Sequence, residues 1–295
     1  MSRLVSGEPG TGPAAAPEAA RRPGGGRWPA RWPALRRTRR AGKGTGPRGH
    51  RAALSLLGFL LVWHVAAEYV VDNPLFLAGP ISTAAAVVTM WQNGTLQQDM
   101  LVSTGEFIKG FGAGLVGGVL LGLVLGTSRR AKDYIDPLIN GLYATPIVAL
   151  APLFILWFGI GEAKTVLLVF MLVVLPIAIN TDAGIRVTDP QLLEAARSFG
   201  ASRLQLFTMV RFPTAISFLI AGIRMGIGRG LIGVVVGELF GSQSGLGYRI
   251  LVSSQYFQTD ALLAGVLIFA VTGVLLVKLF EWLEQRAAPW KAGRP

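Results

Sequence analysis

The sequence predicts an all-α membrane protein of six spanning helices with both termini on the cytoplasmic side, and three observations carry that expectation. Hydrophobic residues make up 52% of the 295 positions, mean hydropathy is +0.51 and only 15% of residues are charged, a composition foreign to a soluble globule. Six apolar stretches, near 52–71, 105–126, 138–158, 163–181, 214–240 and 261–281, reach the length needed to cross a bilayer. Positive charge alternates between them. The N-terminal segment, Arg129, Arg130 and Lys132, the stretch holding Arg186, Arg197, Arg203 and Arg211, and the end from Arg286 to Arg294 fall on one side, against Lys109, Lys164 and Arg249 on the other. Basic loops stay in the cytoplasm, so an even number of spans follows.

Residues 1–51 are a separate region. They hold twelve Lys and Arg against two Glu, a net charge of +10 out of the chain's +12. Gly, Pro, Ala and Arg dominate, no apolar period runs through them, and Arg36-Arg37-Thr38-Arg39-Arg40 is a charge run, so a disordered cytoplasmic tail is expected. Contact with anionic membrane lipid suits its charge. Trp28 and Trp32 are its only aromatics and no folded reader accompanies them, which argues against nucleic-acid binding. The apolar run that follows is of membrane length and lacks a small-x-small exit, unlike a cleavable signal. Residues 52–295 form the transmembrane domain. His64 and Glu68 mark the outer boundary of its first span.

The second span carries Gly110, Gly114, Gly118, Gly122 and Gly126, and the fifth begins a similar series at Gly222, Gly226 and Gly230. Glycine at every fourth position lets a neighbouring backbone come close, so both stripes read first as packing faces and second as pore lining. Pro146, Pro152 and Pro176, in the third and fourth spans, each remove a backbone donor and can kink a helix, either as fixed shape or to suit a rocking bundle. Arg224 and Arg229 lie within the fifth span and Glu238 near its outer end, where a charge needs water, a counter-ion or a solute. Glu238 is nine positions beyond Arg229, about half a turn out of phase, so the charges face other helices. Two readings remain open: a pathway for an anionic solute along Arg224, Arg229 and Glu238, or ion pairs that position helices.

Between the fourth and fifth spans, near 185–213, lies a short charged helix-turn-helix. Asp189 caps a helix that opens on Pro190, Leu192, Leu193, Ala196 and Phe199 share one face, and Gly200 ends it in the left-handed conformation. Ser202 caps a second helix carrying Leu204, Phe207 and Val210, and Pro213 limits its length. Pattern alone fits either a docking element or an amphipathic loop on the lipid surface.

The spacing Glu194-Ala195-Ala196, three residues, Gly200, nine residues, then Val210-Arg211-Phe212-Pro213 resembles the EAA motif of permease subunits of ATP-binding-cassette importers. The resemblance extends over roughly residues 70–290, through Asp136-Pro137, Leu156-Trp157-Phe158-Gly159-Ile160-Gly161, Asn180-Thr181 with Gly184, Gly222-Ile223-Arg224, Glu238 and Gly245-Leu246-Gly247. It is closest to the nitrate, sulfonate and taurine branch, which also includes permeases for aromatic acids and vitamin precursors. A type I importer permease fold in the bacterial inner membrane is implied. In that family the loop is the coupling helix seated in a groove of the cytoplasmic ATPase, so Glu194, Ala195, Ala196, Gly200 and Pro213 are the implied coupling residues. The implied assembly is a homodimer of this chain with two ATPase subunits inside and a solute-binding protein outside. Ser217 stands where many relatives carry a second proline, which predicts a straighter start to the fifth span, and the Arg-rich tail lies outside the family pattern.

Cysteine is absent and histidine occurs twice, which leaves no thiolate or histidine metal cluster and little for catalysis, so neither a cofactor nor an enzymatic role is expected. Gly42-Lys43-Gly44-Thr45 lacks the glycine spacing of a phosphate-binding loop, so ATP hydrolysis falls to a partner. An ion-coupled secondary carrier, with the intramembrane Arg and Glu as coupling groups, and a non-transporting scaffold are the readings from other classes. No inverted repeat supports the carrier.

Overall fold

The computed structural model describes residues 48–287, and every element among them is helical. The expected tail lies outside the described residues except for 48–51, which form the first turn of α1 (Arg48–Val65). A π turn (Ala66–Val71) prolongs α1 to Asp72, whose φ of 46° ends it. Leu54, Leu57 and Leu61 on α1 are exposed, and the Trp63 indole ties the helix down by donating to the Ala78 carbonyl at 3.0 Å. Next come α2 (Pro80–Gln92), α3 (Thr95–Thr127), α4 (Arg129–Ala144), α5 (Ala151–Phe158) and α6 (Glu162–Arg186). The short α7 (Pro190–Ser198) and α8 (Arg203–Gln205) precede α9 (Phe212–Leu239), α10 (Leu246–Gln255) and α11 (Thr259–Ala287). Among the described residues five helices are long and apolar enough to span a membrane, or six if the bent α4 and α5 pair counts as one.

The third expected span, 138–158, is therefore not one straight helix: α4 and the segment leading into α5 meet at 82°. Thr145 is extended (φ −77°, ψ 132°), as a residue before proline must be, and Pro146 cannot continue the hydrogen-bond ladder. Pro152 sits in the first turn of α5, where its missing donor costs nothing, while Pro176 lies inside an unbroken α6. The second span begins ten residues earlier than expected, at Thr95 rather than 105. Its first turns carry Asp99 and Ser103, which depress the local hydropathy but are buried against protein.

Helix α6 is the centre of the bundle. Thr165, Val169, Val173 and Ile177 are wholly buried on it, clamped between α3 and α9. The glycine stripe of α3 meets one face in register: a Cβ at Gly110 would strike Val169, at Gly114 Val173, at Gly118 Ile177, at Gly122 Thr181 and at Gly126 Ile185. Parallel helices follow from that register. The stripe of α9 runs on beyond the expected Gly222, Gly226 and Gly230 to Gly233 and Gly237, which abut Val169 and Thr165, so α9 is antiparallel to α6. Both stripes are packing faces, each setting glycine against β-branched side chains of α6, whose rotamers are already restricted.

At Gly118 a Cβ would lie 2.8 Å from both the Ile177 Cβ and the Val174 carbonyl oxygen, whereas at Gly112 nothing lies within 4 Å. Gly118→Leu should cost at least the ~1–3 kcal/mol typical of overpacking and lower the melting midpoint of the detergent-purified protein. Gly112→Ala should leave that midpoint unchanged. Equal melts for the two variants would mean that the α3 stripe is not a packing face.

Candidate functional site

Candidate side chains gather at both ends of α6 and along α9. At the end where α6 gives way to α7, Asp189 Oδ1 accepts from the Gln191 amide at 2.8 Å and Pro190 opens the helix. Gly200, with φ +78°, closes it: its amide donates to the Arg197 carbonyl at 2.8 Å and that of Ala201 to Ala196 at 3.0 Å, a complete Schellman motif. Ser202 and Gln205 then form a reciprocal capping box, with bonds of 3.3 and 2.8 Å. No residue of α7 is buried. Of the face expected to be apolar, Leu193 and Ala196 are half-buried, while Leu192 and Phe199 point away, Phe199 with 92% of its surface exposed. Glu194 and Ala195 are exposed as well.

Pro213 does not end a separate helix. Helix α8 passes through a π turn (Leu206–Arg211) directly into α9, making one 37-residue helix from Arg203 to Leu239. The wide turn absorbs the proline: the Phe212 amide bonds back five residues to the Phe207 carbonyl, and the Thr214 hydroxyl caps Val210 at 2.8 Å. Beyond it, past Ser217, α9 runs without interruption to Leu239.

Two arginines of α9 have different partners. Arg224 bonds Glu284 of α11 at 2.8 Å and lies 3.6 Å from Glu281, so it ties α9 to α11. Arg229 instead donates to the Tyr143 hydroxyl at 2.8 Å and stands 4.6 Å above that ring. No ion pair involves Arg229 among the described residues. Beside α7, Asp182 takes both Lys132 (2.5 Å) and Arg186 (2.6 Å), and Arg186 also reaches the Leu125 carbonyl.

The opposite end of α6 holds a buried polar knot. Glu238, with no exposed surface, accepts from Ser103 Oγ at 2.6 Å and from the Gly247 amide at 2.5 Å. Ser103 in turn accepts from the Leu246 amide at 2.9 Å, and Asp99 accepts from the Gly245 amide at 3.0 Å and from Arg249 Nε at 2.8 Å. Three side chains of α3 and α9 thus satisfy three successive amides at the start of α10. Gly245 has φ +107°, and a Cβ there would collide with the Glu238 carboxylate, which explains glycine at this turn. Lys164 donates to the Gly237 carbonyl at 2.6 Å and to the Thr165 and Ser242 hydroxyls, while one Glu106 oxygen is buried without a partner. Lys164 and Arg249, read from sequence as loop charges, are both bound into this knot. Lys109 pairs with Glu162 at the surface.

A family model described as binding-protein-dependent transport system inner membrane component matches residues 114–289. The chain belongs to that family. It is 35% identical to a protein of Bacillus subtilis named putative aliphatic sulfonates transport permease protein SsuC, over 79% of this chain and 84% of the relative. It is 30% identical to the taurine transport system permease protein TauC of Escherichia coli, over 80% of this chain and 88% of the relative. A solved amino acid ABC transporter shares the fold with a TM-score of 0.56 at 18% identity, covering 68% of this chain and 96% of that one.

In this permease the sequence reading missed Asp99, Ser103, Glu106 and Lys164. A signal was present. The first three precede Gly110 at intervals of four, three and four residues, which extends the glycine stripe of α3 upward as a polar one. Glu238→Ala leaves the Ser103 hydroxyl and the Gly247 amide without an acceptor, and should cost about 2–5 kcal/mol, seen as a lower melting midpoint. Glu238→Gln, which keeps one acceptor oxygen in place, should lose less than half as much.

Proposed function

We propose that the chain is the membrane-spanning subunit of an ATP-driven, binding-protein-dependent importer of a small anionic solute such as nitrate, a sulfonate or taurine. Arg229 carries this reading: a guanidinium about 22 Å along the span from Thr214, at 1.5 Å per residue, has a neutral phenol as its partner. A cation at such depth calls for a negative charge, and a passing anion supplies one. The relatives named for sulfonate and taurine transport handle solutes that each carry an anionic sulfonate group. Arg224 and Glu238, both engaged within the protein, serve the frame around the pathway.

The exposed α7 is the docking element for a cytoplasmic ATPase, with Glu194, Ala195, Ala196 and Gly200 on or beside the docking face and Pro213 at the base of α9. The basic residues around α4 and α7 favour a cytoplasmic location for that end, and with it for both termini. Two copies of the chain form the pore, and a solute-binding protein docks at the opposite face, near α10.

Two experiments test this reading. Gly200→Pro forbids the left-handed turn and removes the amide bonded to Arg197, and Ala196→Glu puts a charge on the half-buried side of α7. Both variants should insert and assemble in the membrane, yet lose most solute-stimulated ATP hydrolysis in proteoliposomes containing the ATPase and binding protein. Wild-type coupling in both variants would rule out α7 as the docking element. Arg229→Gln should lower taurine or alkyl sulfonate uptake at least tenfold with little change in melting midpoint. Unchanged uptake with a clearly lowered midpoint would make Arg229 a packing residue.

A further inference from the structure

A cleft of about 550 Å³ opens where the end of α3 meets α7 and α8. Arg197, Arg203 and Arg211 line it with Thr127 and Phe207, and no carboxylate does. None of the three guanidiniums takes part in an ion pair or side-chain hydrogen bond among the described residues, and the Arg211 Nε is buried without a partner. The neighbouring cations differ, since Lys132 and Arg186 share Asp182. The cleft also continues an apolar track. Val116, Leu120 and Val124 are exposed on the outer face of α3 at four-residue intervals, and the next position on that face is Thr127, inside the cleft.

We propose that this cleft binds the phosphate headgroup of an anionic phospholipid, with its acyl chains along Val116, Leu120 and Val124. Guanidinium forks match phosphate oxygens two at a time, and basic clefts beside the ends of membrane helices collect anionic headgroups. Free phosphate would meet the same charge but leave the apolar track uncovered, and so would an acidic protein segment. Because Arg197 lies on α7 and Arg211 in the π turn, a bound headgroup joins the exposed helix to the base of α9. Lipid composition thereby sets how firmly α7 is held. The inference rests on the membrane placement of the chain and is independent of the solute.

The test melts the full chain in maltoside detergent with dioctanoyl phosphatidylglycerol, dioctanoyl phosphatidylcholine or inorganic phosphate. Phosphatidylglycerol should raise the melting midpoint saturably at concentrations where the other two do not. In Arg197→Gln/Arg203→Gln/Arg211→Gln the same rise should need on the order of a hundredfold more lipid, each basic group near an anionic surface contributing roughly fivefold. Arg203→Gln alone, at an exposed side chain, should keep the wild-type midpoint in phosphatidylcholine while weakening the phosphatidylglycerol effect about fivefold, which separates lost binding from misfolding. An equal rise with phosphatidylcholine would overturn the proposal, as would a full rise with inorganic phosphate, which would make this a soluble-anion site. So would a triple variant that keeps the phosphatidylglycerol effect but no longer co-purifies with the ATPase, since the arginines would then serve that protein.

Discussion

Inside a bilayer the hydrophobic effect gives one apolar helix little reason to prefer another over lipid, so association depends on how densely two surfaces touch. In this permease that density comes from the approach of two glycine-lined helices to α6, where Val169, Val173 and Ile177 fill the space that side chains on α3 and α9 would otherwise take. The antiparallel α9 and the parallel α3 enclose α6 from both sides, and α4, α10 and α11 attach to that triple layer. Helix α11 is tied through Arg224, α4 through Lys132, and α10 through the first turn it offers to Asp99, Ser103 and Glu238.

Polar groups close the layer at its two ends in different ways. Beside α10, backbone amides meet the buried carboxylate and hydroxyl oxygens of Asp99, Ser103 and Glu238, an arrangement that is rigid because each lost bond leaves a buried donor unsatisfied. Beside α7, one carboxylate, Asp182, holds two cations, and the helix that follows is left uncovered. At the α10 end the amides of Gly245, Leu246 and Gly247 all have acceptors, whereas the α7 end presents the unpaired guanidiniums of Arg197, Arg203 and Arg211 and the exposed Leu192 and Phe199.

The architecture was legible wherever a single physical rule governed the residues. Glycine at intervals of four reported close approach, and Asp189-Pro190 and Gly200 reported the limits of α7. The reading failed where tertiary contact outweighed local pattern. Asp99 and Ser103 hid ten residues of α3 from a hydropathy criterion, because that criterion assumes a polar side chain faces water rather than a backbone amide of α10. Pro213 looked like a stop, since a sequence does not show that a π turn can absorb it. The helices α2 and α10 are too short and mixed in composition to be read as spans. The partners of Arg224 and Arg229 were beyond reach too, because Glu284 and Tyr143 are 60 and 86 positions away in sequence.

The π turn at Leu206–Arg211 has a mechanical consequence. Because it joins α8 to α9 without a break, the 37 residues from Arg203 to Leu239 form one continuous helix, about 55 Å long at 1.5 Å per residue. That helix lies against α6 along most of its length, from Ala215 and Phe218 beside Gly184 to Gly237 beside Thr165. A single run of helix thus links the capping box at Ser202 to the Glu238 carboxylate that holds the Gly247 amide.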